Sequence, residues 1–214
     1  MSKLRVHAFS LSVDGYAAGT DQTLEDPFGT SGVSLHDWMF ATRGGRRMIG
    51  EEGGSTGLDD DLFATGFEGI GATIMGRNMF GPVRGPWPDD SWRGWWGPDP
   101  VYHHPVFVLT HHEREPIEME GGTTFHFVTD GIESAYRQAM EAADGADVRL
   151  GGGASTVREY LNAQLVDEMH LVLTDVLLGS GESPFADVDL PALGYRVREL
   201  IPSTTVTHVL IDPG

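Results

Sequence analysis

The stretch Leu150–Leu161, LGGGASTVREYL, places three consecutive glycines between an apolar residue and a predicted helix. Each glycine costs about 0.5–1 kcal/mol relative to alanine inside regular structure, so the run needs a reason. One reason is a sharp turn from a strand into a helix. The other is an anion site, because backbone N–H groups at a helix N-terminus attract phosphate. The sequence leaves both open; the anion site would use Gly151, Gly152, Gly153 and Ala154 with the hydroxyls of Ser155 and Thr156.

Several other kinds of site are excluded or disfavoured by the sequence. The glycine run fits neither the dinucleotide motif G-x-G-x-x-G followed by an acidic residue nor the P-loop G-x-x-x-x-G-K-[ST]. The chain has no cysteine, and therefore no disulfide, no thiolate nucleophile and no zinc–sulfur site. The pairs His103-His104 and His111-His112 lack an i, i+4 partner, and neighbours on a strand point to opposite faces. We therefore expect no metal site.

Composition indicates one acidic globular domain spanning residues 1–214. Hydrophobic residues make up 40% of the chain and charged residues 21%. The net charge of −18, from 14 Lys+Arg against 32 Asp+Glu, argues against a nucleic-acid partner. No apolar run approaches the ~18–20 residues of a membrane span, and MSKLRVHAFSLS lacks the apolar core of a signal peptide. We expect no membrane association and a cytoplasmic location.

Hydrophobic periodicity predicts about eight strands alternating with four or five helices. This alternation favours an α/β sandwich with a mostly parallel sheet, closed by a C-terminal antiparallel hairpin. Ser34 is the expected cap of the first helix. The predicted strands cover residues 3–10, 72–75, 105–112, 123–129, 147–153, 166–179, 195–202 and 204–212, and the predicted helices cover 34–43, 58–72, 131–143 and 154–164, with a further turn of helix after Arg77.

One long segment, residues 81–104, has no periodicity and is rich in Pro and Gly. It contains Trp87, Trp92, Trp95 and Trp96, four of the five tryptophans of the chain. A structureless stretch of this length inside a compact domain is usually functional or flexible. Its tryptophans indicate that it packs on a surface.

Polar and basic residues follow two predicted strands. Gly76 and Arg77 end the strand at 72–75, and Thr110 and His111 end the strand at 105–112. Ligands of α/β sheets bind at the carboxyl ends of strands, and arginine offers a bidentate fork to phosphate. Taken alone, Arg77 could equally be a surface residue that caps its own loop.

Considered together and in order, these stretches resemble a known family. SLSVDGYAAG at 10–19, IMGRNMF at 74–80, VFVLTHH at 106–112, VRLGGGASTVREYL at 148–161 and VDEMHLVLTDVLLGSGESPF at 166–185 span nearly the whole chain. They look like the dihydrofolate reductase-like fold, a three-layer sandwich. Within that fold they resemble the group that includes the reductase domain of the bifunctional riboflavin-biosynthesis enzyme, here as a stand-alone domain.

The resemblance implies an NADPH-dependent reductase. It implies hydride transfer to a C=N or C=O bond of a small heterocyclic or ribosylated substrate. It places Arg77 and Asn78, with Thr110 and His111, around the 2′-phosphate of the cofactor, and residues 151–156 around the pyrophosphate. Val13, Asp14 and Ala17 would lie near the nicotinamide and the substrate.

The proton donor is expected among two carboxylates. Dihydrofolate reductases use a carboxylate on the first helix, and the counterpart here is Asp37 in SLHDWMF. In an apolar pocket rimmed by Trp38 and Met39 its pKa would be raised, because desolvation disfavours the charged form. Asp37 could instead cap its helix. Asp14 is the second candidate, although VDG is also an ordinary turn.

The departures from the family keep other functions open. The sequence has no cytidine-deaminase domain with a His/Cys zinc motif, and no pterin-binding pattern between residues 20 and 45. A non-catalytic NADP-binding or ligand-sensing protein would have the same fold. A third possibility is an acidic interaction module that binds a protein partner through its tryptophan-rich loop. The tryptophans and the apolar C-terminal strand also predict a homodimer.

Overall fold

The computed structural model describes residues 2–81 and 84–214, so Pro82 and Val83 of the tryptophan-rich segment lie outside it. The described residues form one sheet of nine strands. The strands are β1 (Leu4–Leu11), β2 (Ile70–Gly76), β3 (Pro105–Leu109), β4 (Ile117–Glu118), β5 (Thr124–Val128), β6 (Asp147–Gly152), β7 (Glu168–Leu173), β8 (Tyr195–Pro202) and β9 (Thr207–Pro213).

Across the sheet the strands run in the order β4-β5-β3-β2-β6-β1-β7-β9-β8. The six strands from β5 to β7 are parallel, whereas β4 and the hairpin β8–β9 are antiparallel. The predicted α/β architecture with a mostly parallel sheet and a C-terminal hairpin is therefore confirmed. The parallel order places the carboxyl ends of β2, β3, β6 and β1 along one edge, where ligands of such sheets bind.

Helices cover both faces of the sheet. The helices are α1 (Asp37–Ala41), α2 (Arg43–Met48), α3 (Leu58–Thr65), α4 (Arg77–Phe80), α5 (Ile132–Ala142) and α6 (Ala154–Asn162). On one face α5 and α6 bury small and apolar residues against the strands, including Val157 and Leu161 against Leu4 and Leu150. On the other face α1 and α3 pack Trp38 and Phe63 against β7.

Several details differ from the sequence prediction, among them the strand predicted over 166–179, which covers only Glu168–Leu173. The helix predicted over 34–43 is split into a 3-10 helix at Gly32–His36, then α1 and α2, because Thr42 adopts an extended conformation. Ser34 lies inside the 3-10 helix and caps nothing, whereas Thr42 caps α2 by accepting the Gly45 N–H. Helix α3 ends at Thr65, before a glycine-containing turn. The ninth strand, β4, has only two residues, too few to show periodicity.

The tryptophan-rich segment packs on its own chain. Trp87, Trp92 and Trp96 contact an apolar cluster built on β2, β3 and β5. The Trp92 indole N–H donates to Phe80 O at 2.9 Å, and the Trp95 indole N–H donates to Met79 O at 3.0 Å. These side chains are half-buried. The segment therefore packs on its own chain, as its tryptophans predicted.

The described residues lack both a membrane-spanning helix and a metal-binding cluster. None of their helices is long and apolar enough to cross a membrane. No group of three or more His, Cys, Asp or Glu among them could hold a metal ion.

Candidate functional site

Three predicted segments meet where β2 and β6 end and α6 begins. A Cβ at Gly76, the last residue of β2, would collide with Oγ1 of Thr156 in the first turn of α6 and would lie 3.5 Å from the backbone nitrogen of Gly153. Only glycine permits this approach. The structure therefore brings the Gly76–Arg77 turn and the glycine run together, as predicted from their positions at strand ends.

The glycine run presents free backbone groups to open space. Gly152 has φ +122, and its peptide bond to Gly153 is cis. Gly151 and Gly152 lie against Met79 and Phe9, whereas a Cβ at Gly153 would meet nothing within 4 Å. The first amide bonded back to Gly153 O is that of Val157, so the earlier amides of α6 have no partner within the helix.

The start of α6 suits an anion. Its first turn contains no acidic residue. Ser155 is exposed, and Thr156 is buried against Gly76. Amides at a helix N-terminus beside open space can hold a phosphate group. The geometry is therefore compatible with the predicted pyrophosphate site at residues 151–156.

Arg77 stacks on Trp87. Its guanidinium carbon lies 3.8 Å from the centroid of the indole ring, and its Nη1 donates to Gly85 O. Nε and Nη2 are buried without a hydrogen-bond partner among the described residues. Burial and the nearby charges of Arg114 and Arg84 lower the pKa of Arg77. A buried guanidinium with free donors and cationic neighbours is a site for an anion.

Arg114 is a second cation at this site, and the sequence analysis missed it. Its guanidinium carbon lies 4.8 Å from the Trp87 ring centroid. Nη2 donates to Trp92 O at 2.7 Å and Nε lies 3.7 Å from Asp90 Oδ1, while Nη1 is buried without a partner among the described residues. The sequence signal that could have identified Arg114 is its position shortly after a strand end in an acidic chain with few cations.

An open cavity of about 500 Å³ adjoins Arg114. It lies beyond the carboxyl ends of β3 and β5, beside the Arg77–Trp87–Arg114 stack. Its lining residues are Glu113, Arg114, Glu115, Phe127 and Thr129. The cavity offers space for a ligand next to two arginines with free donors.

The remaining residues assigned to the cofactor lie around this edge. Thr110 is buried and its hydroxyl accepts the His112 N–H at 3.1 Å, while His111 is exposed. Both follow β3, whose last residue pairs with Gly76. Asn78 donates from Nδ2 to Gln22 Oε1 at 2.8 Å, which ties α4 to the loop after β1.

The loop after β1 is held by the loop after β7. The Val13 N–H donates to Val176 O and the Ala17 N–H donates to Glu182 O, each at 2.9 Å. The Asp14 carboxylate accepts the Gly179 N–H at 2.7 Å. Hydrogen bonds from the Ser12 hydroxyl and from backbone amides lower the pKa of Asp14, which is therefore ionised and poorly suited to donate a proton.

The structure contradicts the role expected of Asp37. This residue is exposed at the first position of α1. The apolar pocket expected around it is absent, because Trp38 and Met39 turn inward, where the indole N–H of Trp38 donates to Ser10 Oγ at 2.9 Å. The capping alternative is also wrong, since α1 has His36 at its N-cap and no side-chain cap. Trp38 belongs to the buried core instead.

Comparisons with known proteins agree with this architecture. The family described as RibD C-terminal domain matches residues 5–209. The uncharacterized protein YyaP of Bacillus subtilis (strain 168) is 29% identical over 139 residues, which cover 61% of this chain and 68% of YyaP.

Solved structures share the fold at low sequence identity. A putative riboflavin biosynthesis protein from Shewanella sp. PV-4 is 19% identical with a TM-score of 0.60, covering 100% of this chain and 99% of that one. Dihydrofolate reductase from Enterococcus faecalis, complexed with NADP(H) and RAB-propyl, is 14% identical with a TM-score of 0.50, covering 98% and 95%. A Thermotoga maritima diaminohydroxyphosphoribosylaminopyrimidine deaminase/5-amino-6-(5-phosphoribosylamino)uracil reductase is 14% identical with a TM-score of 0.54, covering 100% of this chain and 57% of that one.

Proposed function

The chain belongs to the RibD C-terminal domain family, and we propose that it is an NADPH-dependent reductase. It transfers a hydride to a C=N or C=O bond of a small heterocyclic or ribosylated substrate. The observation that carries this proposal is the pair of arginines stacked on Trp87, whose buried donors have no partner among the described residues. They favour a phosphate-bearing cofactor in a chain whose net charge is −18.

The residues present fit NADPH. Arg77 and Arg114 hold the 2′-phosphate through charge-assisted hydrogen bonds. The amides of Ala154–Thr156 hold the pyrophosphate at the start of α6. The loop containing Val13 and Ala17 lies at the end of β1, the strand beside β6, and would hold the nicotinamide end. NADPH, when bound, supplies the hydride.

The chain contributes mainly orientation and a dry surface. Phe9 and Met79 pack against Gly151 and Gly152 and exclude water where the strands end. Neither expected carboxylate can serve as a buried acid, since Asp37 is exposed and Asp14 is ionised. Among the described residues, the buried carboxylate of Asp60 accepts the Gly44 N–H and pairs with Arg43. We infer that water supplies the substrate proton.

A non-catalytic NADP-binding or ligand-sensing protein is the competing function, and turnover distinguishes the two. The protein is mixed with NADPH and, separately, with pteridines, aminopyrimidine ribosyl phosphates, quinoid compounds and simple carbonyl compounds. Loss of the NADPH absorbance band with any of them supports the reductase. Tight NADPH binding without turnover of any class supports the sensor, and failure to bind NADPH contradicts both.

A further inference from the structure

Three buried histidines lie side by side on the face of the sheet that carries α1 and α3. His7 is on β1, His170 on β7 and His208 on β9, which are neighbouring strands. His7 Nε2 lies 3.1 Å from His170 Nδ1, and His170 Nε2 lies 2.9 Å from His208 Nδ1. This histidine chain crosses three strands and takes no part in the proposed reductase site.

Both ends of the histidine chain bind α3. At one end His208 Nε2 donates to Asp59 Oδ1 at 2.9 Å, near the start of the helix. At the other end His7 Nε2 donates to Leu62 O at 2.7 Å and lies 3.2 Å from Oγ1 of Thr65, the last residue of the helix. The histidine chain therefore attaches the start and the end of α3 to the sheet.

The hydrogen bonds fix the proton position on each ring. Because carbonyl and carboxylate oxygens only accept, Nε2 carries the proton in both His7 and His208. Nδ1 of His208 then accepts from Nε2 of His170, whose own Nδ1 accepts the Ala8 N–H at 3.3 Å. A second proton on His170 must bind this Nδ1, which already faces the N–H of Ala8 and the Nε2–H of His7. A protonated His170 is therefore incompatible with the intact histidine chain.

The surroundings keep these rings neutral near pH 7. Burial is the main cause that lowers the pKa of His7 to about 4 and that of His170 to about 3. The charged groups that face the histidine chain come from the elements around it: Arg5 on β1, Arg149 on β6, Glu168 on β7 and Asp59 on α3. The two arginines disfavour a further positive charge, and the two carboxylates only partly offset burial.

The helical layer of residues 37–65, which contains α1, α2 and α3, packs through an apolar cluster of its own. Trp38 and Phe63 bury their rings against Val172 of β7. Trp38 also contacts the His208 ring edge-on, with the centroids 5.6 Å apart. This cluster is separate from the main core beneath α5 and α6. The layer can therefore leave the sheet while the main core stays packed.

The three helices of this layer are connected to one another. The buried carboxylate of Asp60 on α3 accepts the Gly44 N–H of α2 at 2.7 Å and pairs with Arg43 at 3.3 Å. Trp38 on α1 contacts Phe63 on α3 edge-on, with ring centroids 6.2 Å apart. Release of α3 from the sheet therefore involves α1 and α2 as well.

We propose that the histidine chain is an acid-sensitive latch, which holds the layer of residues 37–65 on the sheet at neutral pH and releases the layer as a unit when His170 is protonated. In the released form His170 regains its ordinary pKa of 6.5. Below that pH the released form binds a proton that the closed form does not, so acid favours release.

The test uses the tryptophans as probes, because one lies in the layer and four lie outside it. The protein is labelled with 5-fluorotryptophan, and its 19F NMR spectrum is recorded between pH 7.5 and pH 4. Trp38 reports on the layer, and its signal is assigned by elimination from single Trp→Phe variants at the other four positions. Those four, which report on the rest of the fold, are Trp87, Trp92, Trp95 and Trp96.

We expect Trp38 to exchange with a second signal at the position seen in urea, while the other four signals keep their native positions. The ratio of released to closed Trp38, measured by saturation transfer, should rise at least about 8-fold for each pH unit between pH 6 and pH 4. Movement of all five signals together would indicate global unfolding and overturn the latch. So would a Trp38 signal with no released form down to pH 4.

Two variants test the assignment to His170. A glutamine does not titrate, so His170→Gln should show a ratio that depends less steeply on pH than in the parent. His111→Gln, at an exposed histidine outside the chain, should keep the steepness of the parent. Equal pH dependence in the two variants would contradict the role of His170. If His170→Gln does not fold, the parent spectra decide by whether Trp38 moves alone.

Discussion

The guanidinium of Arg77 stacks on the Trp87 ring, and its central carbon lies 3.8 Å from the ring centroid. Trp87 is itself fixed, because its indole N–H donates to His112 O at 3.0 Å. The tryptophan-rich segment thus supports Arg77 in an orientation that leaves two guanidinium nitrogens unpaired among the described residues. A preorganised cation loses less side-chain entropy when an anion binds.

Removing this support should weaken NADPH binding without changing NADH binding. A cation–π contact contributes about 0.5–2 kcal/mol, so Trp87→Leu should lower NADPH affinity by about 2- to 30-fold. Trp96→Leu is the matched control. Trp96 stacks on Phe125, and its ring makes no cation–π contact with Arg77 or Arg114 among the described residues. Fluorescence titration with NADPH and NADH measures the effect. Equal losses of NADPH affinity in Trp87→Leu and Trp96→Leu would mean that the tryptophan-rich segment affects binding only by stabilising the fold.

Asp37→Asn should leave turnover within about 2-fold of the parent, once a substrate is identified. Asp37 is exposed, and surface substitutions of this kind change stability by at most about 0.5 kcal/mol. Steady-state kinetics and a melting curve check both statements. A 100-fold slower variant with an unchanged melting temperature would restore Asp37 as the acid.

A buried chain of histidines should make the protein sensitive to acid. His7, His170 and His208 are hydrogen-bonded in series at 3.1 and 2.9 Å, and His208 Nε2 lies 2.9 Å from Asp59 Oδ1. If His208 donates to Asp59, its Nδ1 accepts from His170, whose own Nδ1 accepts the Ala8 N–H at 3.3 Å. Nε2 of His7 also donates to Leu62 O at 2.7 Å, and both ring nitrogens of a neutral His170 have partners, so protonation of His170 breaks the chain.

The sign of the pH effect follows from the lowered pKa values. Burial lowers the pKa of His7 from 6.5 to about 4 and that of His170 to about 3. Below pH 6.5 the unfolded chain binds protons that the folded chain does not, so stability falls from pH 6.5 down to pH 4. At pH 5 each histidine contributes about 2 kcal/mol of this loss.

Urea unfolding at pH 7.5 and pH 5 measures that loss. His170→Gln should show a free energy of unfolding that depends less steeply on pH than in the parent. The exposed His111 provides the control substitution, His111→Gln, which should keep the parent slope. A parent whose stability is the same at both pH values would contradict the neutral chain.

We expect a homodimer formed through β8. This strand is the outer strand of the sheet and exposes Val197 and Leu200, at 56% and 61% of their surface. Exposed apolar edge strands are sites of association. Light scattering should give twice the chain mass at micromolar concentration, and Leu200→Lys should give the monomer. A monomeric parent would contradict this expectation.

The strands and most helices could be predicted because their patterns are local. β6 and α6 follow from apolar periodicity interrupted by glycines, and the parallel sheet follows from their alternation with other strands. Arg77 was found because it directly follows a buried strand. The glycine run and Gly76 come together because β2 and β6 are parallel, which places the carboxyl ends of both strands on the same edge of the sheet.

The residues that were missed or misassigned depend on longer-range geometry. Arg114 follows β3 by five residues and reaches back to Trp87 only because β4 and β5 fold the chain in that direction. Asp37 was misassigned because its burial depends on the orientation of α1, which Trp38 sets by pointing into the core. The pKa of Asp14 is lowered first by the nearby Ser12 hydroxyl and then by the amides of Gly179 and Leu178, which are more than 160 residues away in the chain.

The central claim is that the Arg77 site recognises a phosphate that NADPH has and NADH lacks. Titration of the parent and of Arg77→Ala with both nucleotides tests it most directly. A charge-assisted hydrogen bond contributes about 1.5–3 kcal/mol, so the parent should prefer NADPH by roughly 10- to 150-fold. Arg77→Ala should lose that preference while its Kd for NADH stays nearly unchanged. Equal weakening of both nucleotides by Arg77→Ala, or a parent without preference, would contradict the account.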